Sequence, residues 1–273
     1  MEGMKIIRND KRTPAQLRPV SFSRGIYEFA AGSVLFEMGK TKILCSVSLQ
    51  NGVPPFLRGK GIGWLTAEYA LLPMSTAQRT QRESSQAGKN GRSVEIARFI
   101  GRCFRSIVDL STLGERTITI DCDVLQADGG TRTAAISGSF LALKMAQEHW
   151  LKSRVIVNPI IKDSIAAVSV GVVNNDVFLD LNYEEDSTAT ADFNFVITQS
   201  DKIIEMQGGA ETEPLSWDMF EGVRAMAQHG AQQLFAAYNC DHKDNKKEQY
   251  VSDATKGERT PMFSLKNRQQ SLS

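Results

Sequence analysis

Asp121-Cys-Asp-Val-Leu-Gln-Ala-Asp-Gly-Gly-Thr-Arg-Thr133 carries the chain from one structural period into another. Thr117 to Gln126 alternates apolar and polar side chains and reads as a half-buried strand. Beyond Gly129-Gly130 a small-residue helix is expected from Ala134 to about Trp150. A strand that passes through a two-glycine turn into a helix brings the first N–H groups of that helix to the turn. Those groups have no partner inside the helix, and the helix dipole there favours an anion. The glycines let the backbone approach a ligand, Thr131 and Thr133 add hydroxyls, and Arg132 adds a planar cationic fork suited to phosphate. The stretch reads as an oxyanion cradle. An ordinary Asp128-Gly129 turn beside a solvated arginine accounts for the same letters.

Working outward, Gly32–Gly39 and Thr41–Ser48 are two strands joined by a tight turn at Gly39-Lys40, and Gly63–Tyr69 is a third. Residues 1 to about 20 are polar, contain Pro14 and Pro19, and are expected to run extended. From Pro73 to Gly91 the chain is polar and basic without periodicity, a long loop of the kind usually tied to function. A helix follows, with Val94, Ala97, Ile100, Phe104, Ile107 and Val108 on its apolar face. Arg92 stands at its start. Arg98, Arg102 and Arg105 form a stripe that suits a solvated face or a subunit contact. Ile165–Val173 and Val177–Tyr183 form a hairpin through Asn174-Asn175-Asp176. Asp192–Thr198 and Lys202–Met206 form another pair, and a last helix runs from about Ser216, its N-cap, to Asn239. Strands and helices in this order give an α+β domain over residues 1–240. Residues 241–273 carry seven basic and five acidic side chains and little apolar surface, and predict a disordered tail.

The chain has 273 residues, enough for a substantial core, and a formal net charge of +1, which excludes a globally basic nucleic-acid binder. Charge is nevertheless uneven. Between Arg79 and Arg105 seven basic residues stand against two acidic ones, a patch able to attract a polyanion. Cys45, Cys103, Cys122 and Cys240 are scattered; the first three read as core residues, and no disulfide framework is implied. Early charges without an apolar run argue against a signal peptide, and no segment suits a membrane span, so the cytoplasm is the expected location. His149, His229 and His242 lack the spacing of a zinc site.

A second feature lies in Val177-Phe-Leu-Asp-Leu-Asn-Tyr-Glu-Glu-Asp186. An aspartate inside so apolar a strand is disfavoured by propensity and costly if buried alone. Asp180, Asp186 and Asp192 stand six residues apart and could converge as hard oxygen ligands for Mg²⁺ or Mn²⁺. Alternatively, Asp180 faces solvent and Asp186 caps a turn.

Together these segments resemble the ribonuclease PH family of phosphorolytic exoribonucleases over roughly residues 10–238. The resemblance rests on Gly63–Pro73, Gly91–Ile96, Asp121–Thr133, Ala166–Gly171 and Asp180–Asp186. It implies a ribosomal protein S5 domain 2-like α+β fold and a homohexamer built as a trimer of dimers. It also implies inorganic phosphate as co-substrate, trimming tRNA precursors and other RNA 3′ ends with release of nucleoside diphosphates. By resemblance, Arg92, Gly130, Thr131 and Arg132 bind phosphate, and Asp180 and Asp186 are the metal-binding and catalytic carboxylates, with Asp192 a third acidic position. In the loop after Pro73 the family presents three arginines linked to dimer packing and tRNA binding. Arg79 and Arg82 match two of them, and Met74 replaces the first. The alternative within the family is a non-catalytic RNA-binding ring subunit.

Overall fold

Five alternating stretches of the N-terminal half build one mixed sheet in the computed structural model, which describes residues 8–83 and 90–239. They are β1 (Val20–Arg24), β2 (Gly32–Met38), β3 (Thr41–Asn51), β4 (Trp64–Leu71) and β5 (Arg116–Gln126), in the order β1-β2-β3-β5-β4. Neighbours are antiparallel except β4 and β5, which run parallel with Glu68 opposite Asp121. Parallel neighbours need a long crossover, and α1 (Gly91–Ile107) supplies it. Along β5, Ile118, Ile120, Cys122 and Val124 are buried while the residues between them are half-buried, as the alternation requires.

A second, antiparallel sheet has the order β7-β6-β8-β9, from β6 (Ile165–Val173), β7 (Asp176–Leu179), β8 (Ala191–Thr198) and β9 (Ile203–Ala210). Between the sheets lies α2 (Thr131–Lys152), which packs on β2 and β3 on one side and on β6 on the other. This position explains its composition. Residues Thr133 to Leu143 are buried without interruption, so this half of the helix has no polar face, and its small side chains let both sheets come close. A Cβ at Gly138 would stand 2.8 Å from Phe36 Cβ and 2.9 Å from Cys45 Sγ. The helix α4 (Trp217–Asn239) covers β6 and β7, and the Ser216 hydroxyl accepts from the Met219 N–H at 3.2 Å, the expected N-cap. One continuous core spans both sheets and the three long helices. Each fully buried large side chain, such as Phe36, Phe99 or Phe104, contributes about 1.5–3 kcal/mol of burial.

The structure corrects four expectations. The buried face of α1 is Ile96, Phe99, Ile100, Cys103, Phe104 and Ile107, with Val94 and Ala97 half-buried at its edge. Of its arginines, Arg98 is exposed as read, while Arg102 pairs with Glu205 of β9, and Arg105 stacks 4.7 Å over Trp64 and donates to the Leu65 carbonyl. Strand β7 stops at Leu179 instead of reaching Tyr183. Asp180 then turns to φ +53°, and a single helical turn, α3 (Tyr183–Asp186), follows. The N-terminal segment is extended in part, but it also buries Arg8, Arg12 and Arg18. The predicted tail lies outside the described residues. Among them, no helix is long and apolar enough to cross a membrane.

Candidate active site

A cleft of about 1120 Å³ opens where the N-terminus of α2 meets the second sheet. Its walls come from the loop after β4 (Thr76–Thr80), the start of α1, the Asp128–Arg132 turn, α3, and the facing ends of β8 and β9. The turn is built by conformation. Gly129 and Gly130 both take left-handed φ, +74° and +62°, which a glycine adopts without strain. The chain then enters α2 at Thr131, three residues earlier than the apolar period suggested. The first-turn N–H groups of α2 consequently face the cleft without helical acceptors.

Two cations border this turn. Asn90 caps α1 by accepting from the Arg92 N–H at 3.0 Å, which sets Arg92 in the helix's first turn and on the cleft wall. Arg132 lies 3.2 Å from Glu95 and donates to Gln207 at 3.3 Å. Thr131 accepts a 2.9 Å hydrogen bond from the Tyr69 hydroxyl, and burial pushes that phenol's pKa up to about 12. Thr133, expected to offer a hydroxyl to a ligand, is fully buried and donates to the Gly130 carbonyl instead. Its role is to lock the turn.

Across the cleft stand Asp186, Asp192 and Glu211. Partial removal from water, and then the neighbouring carboxylates of Asp192 and Glu211, raise the Asp186 pKa, against a lowering by Arg92 and Arg132. All four charges therefore act on one carboxyl group. Like charges held this close favour a cation between them, and Mg²⁺ typically binds one or two carboxylates and completes its shell with water and phosphate oxygens. Asp186 and Asp192 fit such an ion. Among the described residues, no cage of three or more His, Cys, Asp or Glu side chains is formed.

Asp180 does not join them. Its carboxylate is fully buried and receives the Arg18 guanidinium, Nη2 at 2.6 Å and Nε at 2.9 Å, together with the Arg18 N–H at 2.8 Å. Arg12 lies 3.5 Å away. Neither expectation for Asp180, a cleft ligand or a solvated side chain, matches this position. A buried carboxylate needs paired, hydrogen-bonded cations, and the N-terminal segment supplies them. Arg8 does the same for Glu185, whose carboxylate also accepts from the Asn182 N–H at 3.0 Å in a reciprocal capping box that starts α3.

Of the other expected residues, Arg92, Gly130, Thr131, Arg132, Asp186, Asp192 and Arg79 all line the cleft. Arg82 is exposed and is not part of its wall. Met74 is 68% exposed. Arg8, Arg12, Arg18, Thr41 and Tyr69 were not singled out from sequence. The available signal was Asp180 itself, an aspartate in an apolar run that demanded a partner.

The family model described as the 3′ exoribonuclease family, domain 1, matches residues 16–148, and domain 2 of the same family matches residues 163–230. Solved structures of similar fold include rice (Oryza sativa) Rrp46, with a TM-score of 0.68 and 19% identity over 84% of this chain and 97% of that one. An Archaeoglobus fulgidus exosome with RNA bound to the active site gives 0.71 and 22% over 85% and 92%. An archaeal exosome core gives 0.68 and 21% over 85% and 90%.

Proposed function

The chain belongs to the RNase PH family of 3′ exoribonucleases, and from that premise we propose that it is a phosphorolytic 3′-to-5′ exoribonuclease acting on tRNA precursors. One observation carries the reading: Arg92, Arg132 and the N-terminus of α2 face Asp186 and Asp192 across a single cleft. Cations and backbone N–H groups on one wall suit an inorganic phosphate, and Asp186 and Asp192 opposite would hold a divalent metal ion.

The reaction forms a bond from a phosphate oxygen to the phosphorus of the terminal phosphodiester and breaks that phosphorus's bond to the preceding 3′ oxygen. The freed oxygen takes a proton, and the terminal nucleotide leaves as a nucleoside diphosphate. Two anions must approach, so the protein's task is positioning and charge neutralisation. Arg92 and Arg132 hold the phosphate and offset repulsion from the RNA. Well-oriented placement alone supplies up to about 7–11 kcal/mol toward the barrier. Asp186 and Asp192 would hold a Mg²⁺ or Mn²⁺ ion, whose charge would further neutralise the reacting phosphate. Arg79 on the cleft wall, with Arg82 nearby in sequence, contacts the RNA backbone. A homohexamer, as a trimer of dimers, joins such patches from several subunits into a deeper basic channel.

The reverse reaction tests this reading. Purified protein given a short RNA, Mg²⁺ and a nucleoside diphosphate is expected to lengthen the RNA 3′ end and release inorganic phosphate. Absence of extension, under conditions where the protein binds the RNA, would favour the non-catalytic ring subunit.

A further inference from the structure

We infer that Thr41 and Arg18, the latter held by Asp180, are positioning residues that fix the Asp128–Gly130 loop from behind and so set its affinity for phosphate. The inference rests on the phosphate-binding reading of that loop. The juxtaposition is specific. One edge of the Arg18 guanidinium is occupied by the Asp180 carboxylate, through Nε at 2.9 Å and Nη2 at 2.6 Å. Its remaining hydrogens reach the loop, with Nη1 donating to the Asp128 carbonyl and Nη2 to the Gly129 carbonyl at 3.4 Å. Thr41 closes the same loop from the start of β3. Its hydroxyl donates to the Gly129 carbonyl at 2.8 Å and accepts from the Asp128 N–H at 3.0 Å.

These three side chains are at most 4% exposed, so none can touch a ligand in the cleft. Their effect must pass through the backbone. A Gly-Gly pair has more accessible conformations than any other dipeptide, and left alone it would hold a cradle poorly. Hydrogen bonds to both carbonyls ahead of α2 select one conformation before phosphate arrives, and the ordering is then complete at binding. Asp180 contributes by orienting the fork: the bidentate pair leaves Arg18 one direction in which to point its free donors. An aspartate and an arginine far from the chemistry would thus control how well phosphate is held.

Thr41→Val is the deciding variant, because it keeps the side chain's shape and removes one hydroxyl. Asp180→Asn, which keeps the shape and removes the charge, is the second. For each folded protein, confirmed by circular dichroism, calorimetry would give inorganic phosphate affinity, and steady-state rates would give KM for phosphate and for RNA. We expect Thr41→Val to raise the phosphate KM and Kd about tenfold, with the RNA KM within about twofold of the parent. A larger rise is expected for Asp180→Asn. Phosphate constants for folded Thr41→Val within about twofold of the parent would overturn the inference while leaving the proposed reaction intact. A parent protein that binds no phosphate and shortens RNA without it would overturn both.

Discussion

Replacing Gly129 with alanine perturbs the cradle at the point where space and backbone conformation are both exhausted. At φ +74° an alanine pays about 1–2 kcal/mol for the left-handed conformation. Its Cβ would stand 2.5 Å from the Leu181 carbonyl oxygen, 2.8 Å from the Asn182 carbonyl carbon and 3.0 Å from the Tyr183 nitrogen. All three are backbone atoms at the entry to α3, so no side chain can swing away. Relief requires the Gly-Gly turn and α3 to part by about 1 Å, at a cost of about 1–3 kcal/mol typical of overpacking. A total near 3 kcal/mol lowers Tm by about 6–12 °C for a domain of this size. The same movement separates the phosphate side of the cleft from Asp186, and a 1 Å misplacement costs about 100-fold in rate. Thermal unfolding and phosphate-dependent shortening of an RNA would measure the two effects. A Gly129→Ala protein with parental Tm and parental rate would refute both the packing and the positioning argument.

Other perturbations separate stability from chemistry. Arg8→Met leaves Glu185 buried with the Asn182 N–H still donating to it but no cation nearer than Arg12 at 3.7 Å, and should cost about 3–5 kcal/mol by denaturant unfolding; a loss under 1 kcal/mol would show that α3 does not depend on this pair. Because Asp186 has a raised pKa, the native state favours its protonated form, so its destabilising effect sets in as pH rises above the ordinary 3.8 and is complete once pH passes the native value. Asp186→Asn should accordingly melt above the parent at neutral pH, with the gain shrinking in acid, while shortening activity is lost; a lower neutral Tm contradicts this. Tyr69→Phe removes the donor to Thr131 and is expected to cost about 0.5–1.5 kcal/mol and to slow phosphate-dependent turnover several-fold, whereas parental turnover would detach Tyr69 from the cradle. Met74→Arg should lower the KM for tRNA at constant kcat, and an unchanged KM would exclude a role for that position in tRNA binding.

Most of the architecture was legible in the letters because period and burial agree: the alternation of β2, β3 and β5 and the glycine turn before α2 each fold as read. The α1 face differs from the sequence reading because Ile96, Phe99 and Cys103 compete with Val94 and Ala97 for the same apolar stripe, and packing against β4 decides between them. The stop at Leu179 was less visible. Val177 to Tyr183 alternates as a strand should, yet Asn182 and Glu185 form a local capping box that wins over the pattern. The cleft's lining was mostly readable, since Arg92, Thr131, Arg132 and Asp186 sit at element boundaries. The buried arginines were not. Arg8, Arg12 and Arg18 lie in a polar segment with no period, and their meaning depends on Asp180 and Glu185, more than 160 positions away. Pairing over such a distance leaves no local trace except an aspartate out of place in an apolar run.

Phosphate dependence bears most directly on the account. A 3′-extended tRNA, internally labelled, would be incubated with the protein and Mg²⁺, with and without inorganic phosphate, and the released nucleotides identified by chromatography. The account predicts shortening only with phosphate and release of nucleoside diphosphates. Nucleoside monophosphates released equally well in its absence would contradict it and identify a hydrolase.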